Sequence, residues 1–208
     1  MAVEVSDILE RFLTHEFIIL VDGLILVAQG TGLLYFLKGC YMWFSLARAR
    51  TSSPMLAQTF GSIPTVGHII GVMVASAFLW KFGEGIAYWG SMFWISPGLS
   101  FNTPYSSLMF DEISQRSANL VNVQTIGGSS PTSGAQIGVR AAFAIMSIYG
   151  IISYFRGVIY ISLAANPQRA RDIKFSHIVT HIAVGIFLIY LNLAFQTITN
   201  TVTAATMN

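Results

Sequence analysis

Two long windows of this chain contain no ionised acid or base. From Thr51 to Trp80 there is no Asp, Glu, Lys or Arg, and from Phe175 to Asn208 there is again none. A surface helix of a soluble protein carries polar and charged side chains along one face, and neither window can supply that face. A helix crossing a hydrocarbon core of about 30 Å needs about 20 predominantly apolar residues, and each window holds such a run. The composition agrees: 54% of residues are hydrophobic and 10% are charged, where a soluble domain carries about 25% charged residues. Lipid is the expected solvent.

The same numbers exclude other classes. A net charge of +2 is too small for a basic nucleic-acid-binding surface, and no aromatic-basic interleaving of the single-strand-binding kind appears. Direct sequence-specific nucleic-acid binding is therefore not expected. Cys40 is the only cysteine, so no intrachain disulfide can form. The N-terminus carries Glu4, Asp7, Glu10 and Glu16 against Arg11, without the positive start and short apolar core of a signal peptide. The first span is expected to stay in the mature protein.

Along the chain, the pattern predicts an all-α integral membrane fold. Its parts are an N-terminal amphipathic helix and four transmembrane helices in two tandem hairpins. Residues 1–16 form the amphipathic segment: Val5, Ile8, Leu9, Phe12, Leu13 and Phe17 recur at helical spacing, as in helices that lie on a membrane surface. Residues 17–95 form the first hairpin, with spans from about Phe17 to Ala47 and from about Pro64 to Trp80. Pro64 suits a first helical turn, where its missing N–H costs nothing. Tyr88, Trp89, Phe93 and Trp94 then mark a membrane–water boundary. Residues 96–136 read as an extracytoplasmic loop with one short helix near 104–120 and a Gly/Ser/Pro link at 127–134. Residues 137–199 form the second hairpin, with spans near 137–165 and 178–198, and 200–208 are a neutral tail.

The basic residues set the expected orientation. Arg48 and Arg50 lie in the first short connector and Arg169, Arg171 and Lys174 in the second, while the N-terminal segment is acidic and the central loop balanced. Lys/Arg excess in short loops selects the cytoplasmic side. Both connectors are then cytoplasmic, and both termini extracytoplasmic.

The two halves resemble each other. Gly32-Leu-Leu-Tyr-Phe-Leu-Lys38-Gly39 can be laid over Gly150-Ile-Ile-Ser-Tyr-Phe-Arg156-Gly157. Each block is followed by a Ser-Leu-Ala, a basic connector, a histidine at a helix start (His68 and His181) and a second apolar helix. Both copies point the same way, so a repeat axis would lie along the membrane normal.

Several residues are candidates for function. Gly30, Gly32, Gly39, Gly150 and Gly157 remove bulk where a neighbouring helix can approach closely. Lys38 and Arg156 stand within spans, where a charge faces a cavity, a polar partner or the interface. A positive ring in an assembled pore, a site for lipid phosphate, and snorkelling to the headgroups are the competing readings. Asp22, Lys81 and Glu84 would meet at similar depth in an antiparallel hairpin as an intramembrane ion pair or, less simply, a proton or ion site. Arg140 reads as an outer interfacial anchor. His177 and His181 share a helix face at i, i+4, a spacing metals can use, but too few further ligands accompany them and no metal is expected. No H-E-x-x-H, G-x-S-x-G or phosphate-cradling loop occurs, and no enzymatic activity is expected.

The run from Gly30 to Gly39, the connector with Pro54 and Pro64, and the uncharged helix after it resemble the IcmC/DotE family of type IVB secretion systems and its conjugation relative TraQ. The likeness covers residues 17–95. The hairpin with a basic cytoplasmic turn is also similar to conjugative pilins, which have one hairpin where this chain has two. The resemblance implies a bacterial inner-membrane protein, or a subunit leaving it as an extracellular filament. It implies a non-catalytic assembly subunit that oligomerises with itself and with other secretion or conjugation subunits, to form a translocation channel or pilus-like structure. It further implies contact with membrane lipid, no cofactor, room for a bound phospholipid, and lumen- or lipid-facing roles for Lys38, Arg48, Arg50, Arg156, Arg169 and Arg171. The alternative class is a small transporter or channel of two hairpin repeats, with Asp22, Lys81 and Glu84 near its substrate path. A membrane enzyme using His177 and His181 is a third.

Overall fold

The computed structural model describes residues 8, 9, 11–51, 64–93, 134–167 and 173–191. The described residues are helical with short turns, and none is in a strand. Five α-helices follow one another: α1 (Phe17–Thr51), α2 (Val66–Trp80), α3 (Phe82–Phe93), α4 (Gly134–Ala164) and α5 (Phe175–Ile189). The short helix expected near 104–120, most of the 127–134 link, the middle of both connectors and the neutral tail lie outside the described residues.

Two helices, α1 and α4, are long and apolar enough to cross a membrane. At 1.5 Å per residue, the 15 residues of α2 and the 15 of α5 each measure about 22 Å, short of the 30 Å of a typical core. Helices thus cover the first and third expected spans at full length, and the second is shorter than its charge-free window suggested; residues 192–198 of the fourth lie outside the described residues. For α2 the reason is local. Thr65 caps its start, accepting a hydrogen bond from the His68 N–H at 3.2 Å, so Pro64 sits just outside the helix. At the other end Lys81 leaves helical geometry with ψ at 34°, and the weak helix formers Gly83 and Gly85 follow. The aromatic stretch after it is itself a helix, α3, with Glu84 in its first turn.

The amphipathic segment is also joined differently from the expected separate surface helix. Phe12–Glu16 form one π-helical turn, flanked by Arg11 and Phe17 in right-handed helical geometry, and run straight into α1.

The buried positions of α1 are Phe17, Val21, Ala28, Gly32, Gly39 and Met42. Their spacing of three, four or seven is a narrow seam of about 3.5-residue period, the geometry of closely packed antiparallel helices. Hydropathy cannot reveal this seam, because the exposed side of α1 is just as apolar: Leu26, Leu33, Leu34, Leu37 and Phe44 are all exposed.

The chain forms two compact units, described separately. The first comprises residues 1–24, 83–152 and 185–208, and the second 25–82 and 153–184. In the first, the Tyr190 hydroxyl donates to the Ile86 carbonyl at 3.2 Å, tying the end of α5 to α3. In the second, Met42, Ile69 and Val72 form a buried cluster with Tyr35, Leu46 and Met73 around it. Phe82 packs on Tyr154 (centroids 5.2 Å) and on Phe155 (6.0 Å), distances at which tilted aromatic pairs are favourable. Charge divides with the units. The sequence segments of the second unit hold eight of the eleven Lys/Arg and only Asp172 of the nine acids; the first unit's segments hold three and eight.

Candidate functional site

The glycines show how each hairpin closes. A Cβ at Gly32 would stand 2.8 Å from the Trp80 backbone nitrogen, and one at Gly39 would stand 2.7 Å from Met73 Sδ. In the second hairpin a Cβ at Gly150 would meet Gly185 O at 2.7 Å and Ile189 N at 2.8 Å, and one at Gly157 would meet Ile182 Cγ1 at 2.7 Å. The register is identical. Gly32 to Gly150 and Gly39 to Gly157 are steps of 118 residues; Trp80 to Ile189 and Met73 to Ile182 are steps of 109. The connectors absorb the difference.

The repeat extends to the ends of the second helices. The 109-residue step carries Val66 onto Phe175, and Trp80 onto Ile189, where α5 stops. Lys81 and Tyr190 follow, each hydrogen-bonded to the carbonyl four residues back at 3.0 Å. His68 therefore corresponds to His177, the third residue of α5, and not to His181 as the sequence comparison had paired them. Gly30 also departs from its expected packing role. Nothing lies within 4 Å of its Cβ position, because two residues of helix rotate it about 200° from Gly32.

The basic positions fall as follows. Lys38 and Arg156 occupy equivalent sites, both exposed, each preceding the lower packing glycine. Lys38 Nζ lies 5.8 Å from the Tyr35 ring centre, a cation–π distance. Arg48 is exposed near the end of α1, Arg50 lies in its last turn, and Arg169 and Arg171 lie outside the described residues. Asp22 is exposed in the first unit. Lys81, exposed, ends α2 in the second unit, and the half-buried Glu84 begins α3 in the first. Arg140 lies in the first turns of α4.

One polar constellation emerges that sequence reasoning did not assemble. Ser153 Oγ on α4 donates to the His181 carbonyl at 3.0 Å and lies 3.2 Å from His181 Nδ1. The donor and acceptor roles of the Oγ–Nδ1 pair depend on the imidazole tautomer. The Nδ1–H tautomer, with the hydroxyl donating to the carbonyl and accepting from the ring, satisfies both groups at once. Tyr160 closes the cluster edge-on to the imidazole, with centroids 5.2 Å apart. Other hydroxyls behave differently: Thr31, Ser45, Ser76, Ser147 and Ser162 each donate to a carbonyl three or four residues back in their own helix, as lone hydroxyls in helices do. Ser153 reaches across to a neighbour.

The repeat provides an internal control. Stepping back by 118 on α4 and 109 on α5, Ser153, Tyr160 and His181 become Tyr35, Met42 and Val72, members of the apolar cluster of the first hairpin. Hairpin packing of this register thus needs no polar group there. The sequence signal was available: position four of the aligned blocks is Tyr35 in one copy and Ser153 in the other. Ser153→Ala removes a cross-helix bond worth about 0.5–1.5 kcal/mol and frees the ring. We expect a lower unfolding temperature in detergent and, by ¹⁵N NMR, loss of the single Nδ1–H tautomer at His181.

Among the described residues no group of three or more His, Cys, Asp or Glu could hold a metal ion. Comparison with protein-family profiles, curated proteins and solved structures finds no match.

Proposed function

We propose that this chain is a non-catalytic assembly subunit of a bacterial membrane, built as four spans and working as part of a conjugation or type IV secretion apparatus. The observation that carries the structural half is the repeated glycine register, which welds two helices into a hairpin twice over. The long helices α1 and α4 and the charge-free α2 and α5 support four crossings, and the gathering of basic residues on the connector-bearing segments supports a cytoplasmic position for both connectors. The apparatus rests on the resemblance of residues 17–95 to the IcmC/DotE and TraQ components. Homo-oligomerisation, partner subunits and lipid contact belong to the same reading.

Lys38 and Arg156 are the residues on which this reading makes its sharpest demand. They occupy one position in both repeats, and both are exposed. Replacing both by Leu should leave membrane insertion intact, because Leu favours insertion where Lys and Arg oppose it. Transfer frequency in a mating or effector-translocation assay should fall by about an order of magnitude or more, since both cations that would line a pore or hold lipid phosphate are then gone. Unchanged transfer by a normally inserted double variant would remove these residues from the mechanism.

A second reading draws on a different observation. A small transporter or channel would account for Ser153, Tyr160 and His181 standing where the first hairpin is apolar. Solute flux through liposomes holding the purified chain alone, abolished by His181→Val, would favour that reading over assembly.

A further inference from the structure

The two hairpins join through an interface whose matching halves recur at both ends of the chain. Within the second unit, the second helix of one hairpin packs on the first helix of the next: Gly71 of α2 meets Ala165 just beyond α4, with Ile161 O 3.4 Å from its Cβ position, and Phe82 packs on Tyr154 and Phe155. Gly71 and Phe82 are buried. The contact is heterologous, because two different faces meet.

The repeat steps locate the same two faces elsewhere. On α1 the counterparts of Tyr154, Phe155 and Ile161 are Phe36, Leu37 and Trp43. They are 48%, 55% and 57% exposed, where Tyr154 is 1% exposed. On α5 the counterpart of Gly71 is Thr180, which is exposed, and that of Phe82 is Leu191, half-buried just past the helix. The face that α4 turns to α2 is therefore present again on α1, where it stands about half exposed, and the positions of its complement recur on α5.

We propose that α5 of one copy packs on α1 of a second copy, reusing the register by which α2 packs on α4. Thr180 of one chain then lies against Ala47 and Trp43 of the next, and Leu191 against Phe36 and Leu37. Thr180 is larger than Gly71, so the copies stand slightly further apart than the hairpins do, and the larger Trp43 in place of Ile161 fills the added space. Lys38 clears the seam as its counterpart Arg156, exposed, clears the internal one. A heterologous contact leaves one face of each kind open at the ends of any row, so it propagates into a ring if its rotation closes and into a filament if it does not.

This inference rests on the chain being a self-assembling subunit, and the test separates the two. Cys40, the only cysteine, is replaced by Ala, and Ala47→Cys and Thr180→Cys are introduced together. Oxidation in native membranes with copper-phenanthroline should yield a ladder at multiples of the monomer mass. Each single-cysteine variant should remain free of that ladder, as should the off-register pair Leu26→Cys with Thr180→Cys. A cross-link confined to one chain, or dimers from Ala47→Cys alone, would overturn the interface. Particle mass in lipid nanodiscs decides the rest: oligomers without the ladder leave assembly standing and remove this contact, whereas a monomer removes both. Each altered position lies on an exposed helix surface, and helix content by circular dichroism checks that the fold is retained.

Discussion

Gly150→Leu should disrupt the second hairpin, whereas Gly30→Leu should leave the molecule unchanged. The difference lies in what the new side chain meets. At Gly150 the nearest atoms are main-chain, Gly185 O and Ile189 N, and neither can rotate away. The helices must separate, and separation also pulls Ser153 from His181 three residues on. Overpacking typically costs about 1–3 kcal/mol, and an obstruction made of backbone belongs at the upper end, about 3 kcal/mol. Gly39 is intermediate: its closest neighbour is the flexible Met73 thioether, which can adapt, so about 1 kcal/mol is expected. Gly30 has open space and should show no loss. Thermal unfolding of the three variants in one detergent checks the order, and a Gly30 variant as damaged as the Gly150 variant would refute the packing register.

Neutralising the connectors should turn the molecule over in the membrane. Arg48 and Arg50 at the end of α1 and Arg169, Arg171 and Lys174 in the second connector are the basic residues beside the two short turns, and each residue near an anionic leaflet contributes about 1 kcal/mol. Five together supply about 5 kcal/mol, a preference of more than a thousandfold; Asp172 offsets little, since acidic residues weigh lightly in orientation. With all five changed to Gln, Arg11, Arg116 and Arg140 on the opposite side no longer face a stronger basic signal, and a mixed or inverted population is expected. The readout is a membrane-impermeant maleimide applied to intact cells carrying Ser53→Cys in a Cys40→Ala background. The parent should stay unlabelled and the neutralised variant should label. Labelling of the parent would place the connectors outside and end the proposed orientation.

Some of this architecture was legible in the residues and some was not, for identifiable reasons. The helices α2 and α5 within the uncharged windows follow from composition, since in lipid a helix pairs its backbone groups within one segment. The glycines at 32, 39, 150 and 157 were legible because a packing helix needs them at one face. Gly30 misled, because a pattern of small residues does not say which face each occupies. The end of α2 at Lys81 was blurred by apolar residues that continue past it. The pairing of His68 with His177 required the contact register, since connectors of unequal length shift the sequence alignment. Ser153 and Tyr160 went unnoticed for a related reason. Their meaning lies in how they differ from Tyr35 and Met42, and that comparison needs the two hairpins superposed.

On the proposed four-span reading, the brevity of α2 bears on the surrounding lipid. A rod of about 22 Å falls short of a hydrocarbon core of about 30 Å. Keeping the acyl chains in contact with it would draw the leaflets together locally, at a fraction of a kcal/mol per ångström. Copies that turn this side toward each other would share a single dimple instead of each deforming its own. The bilayer would then bring subunits into proximity before any side chain of one copy touches another.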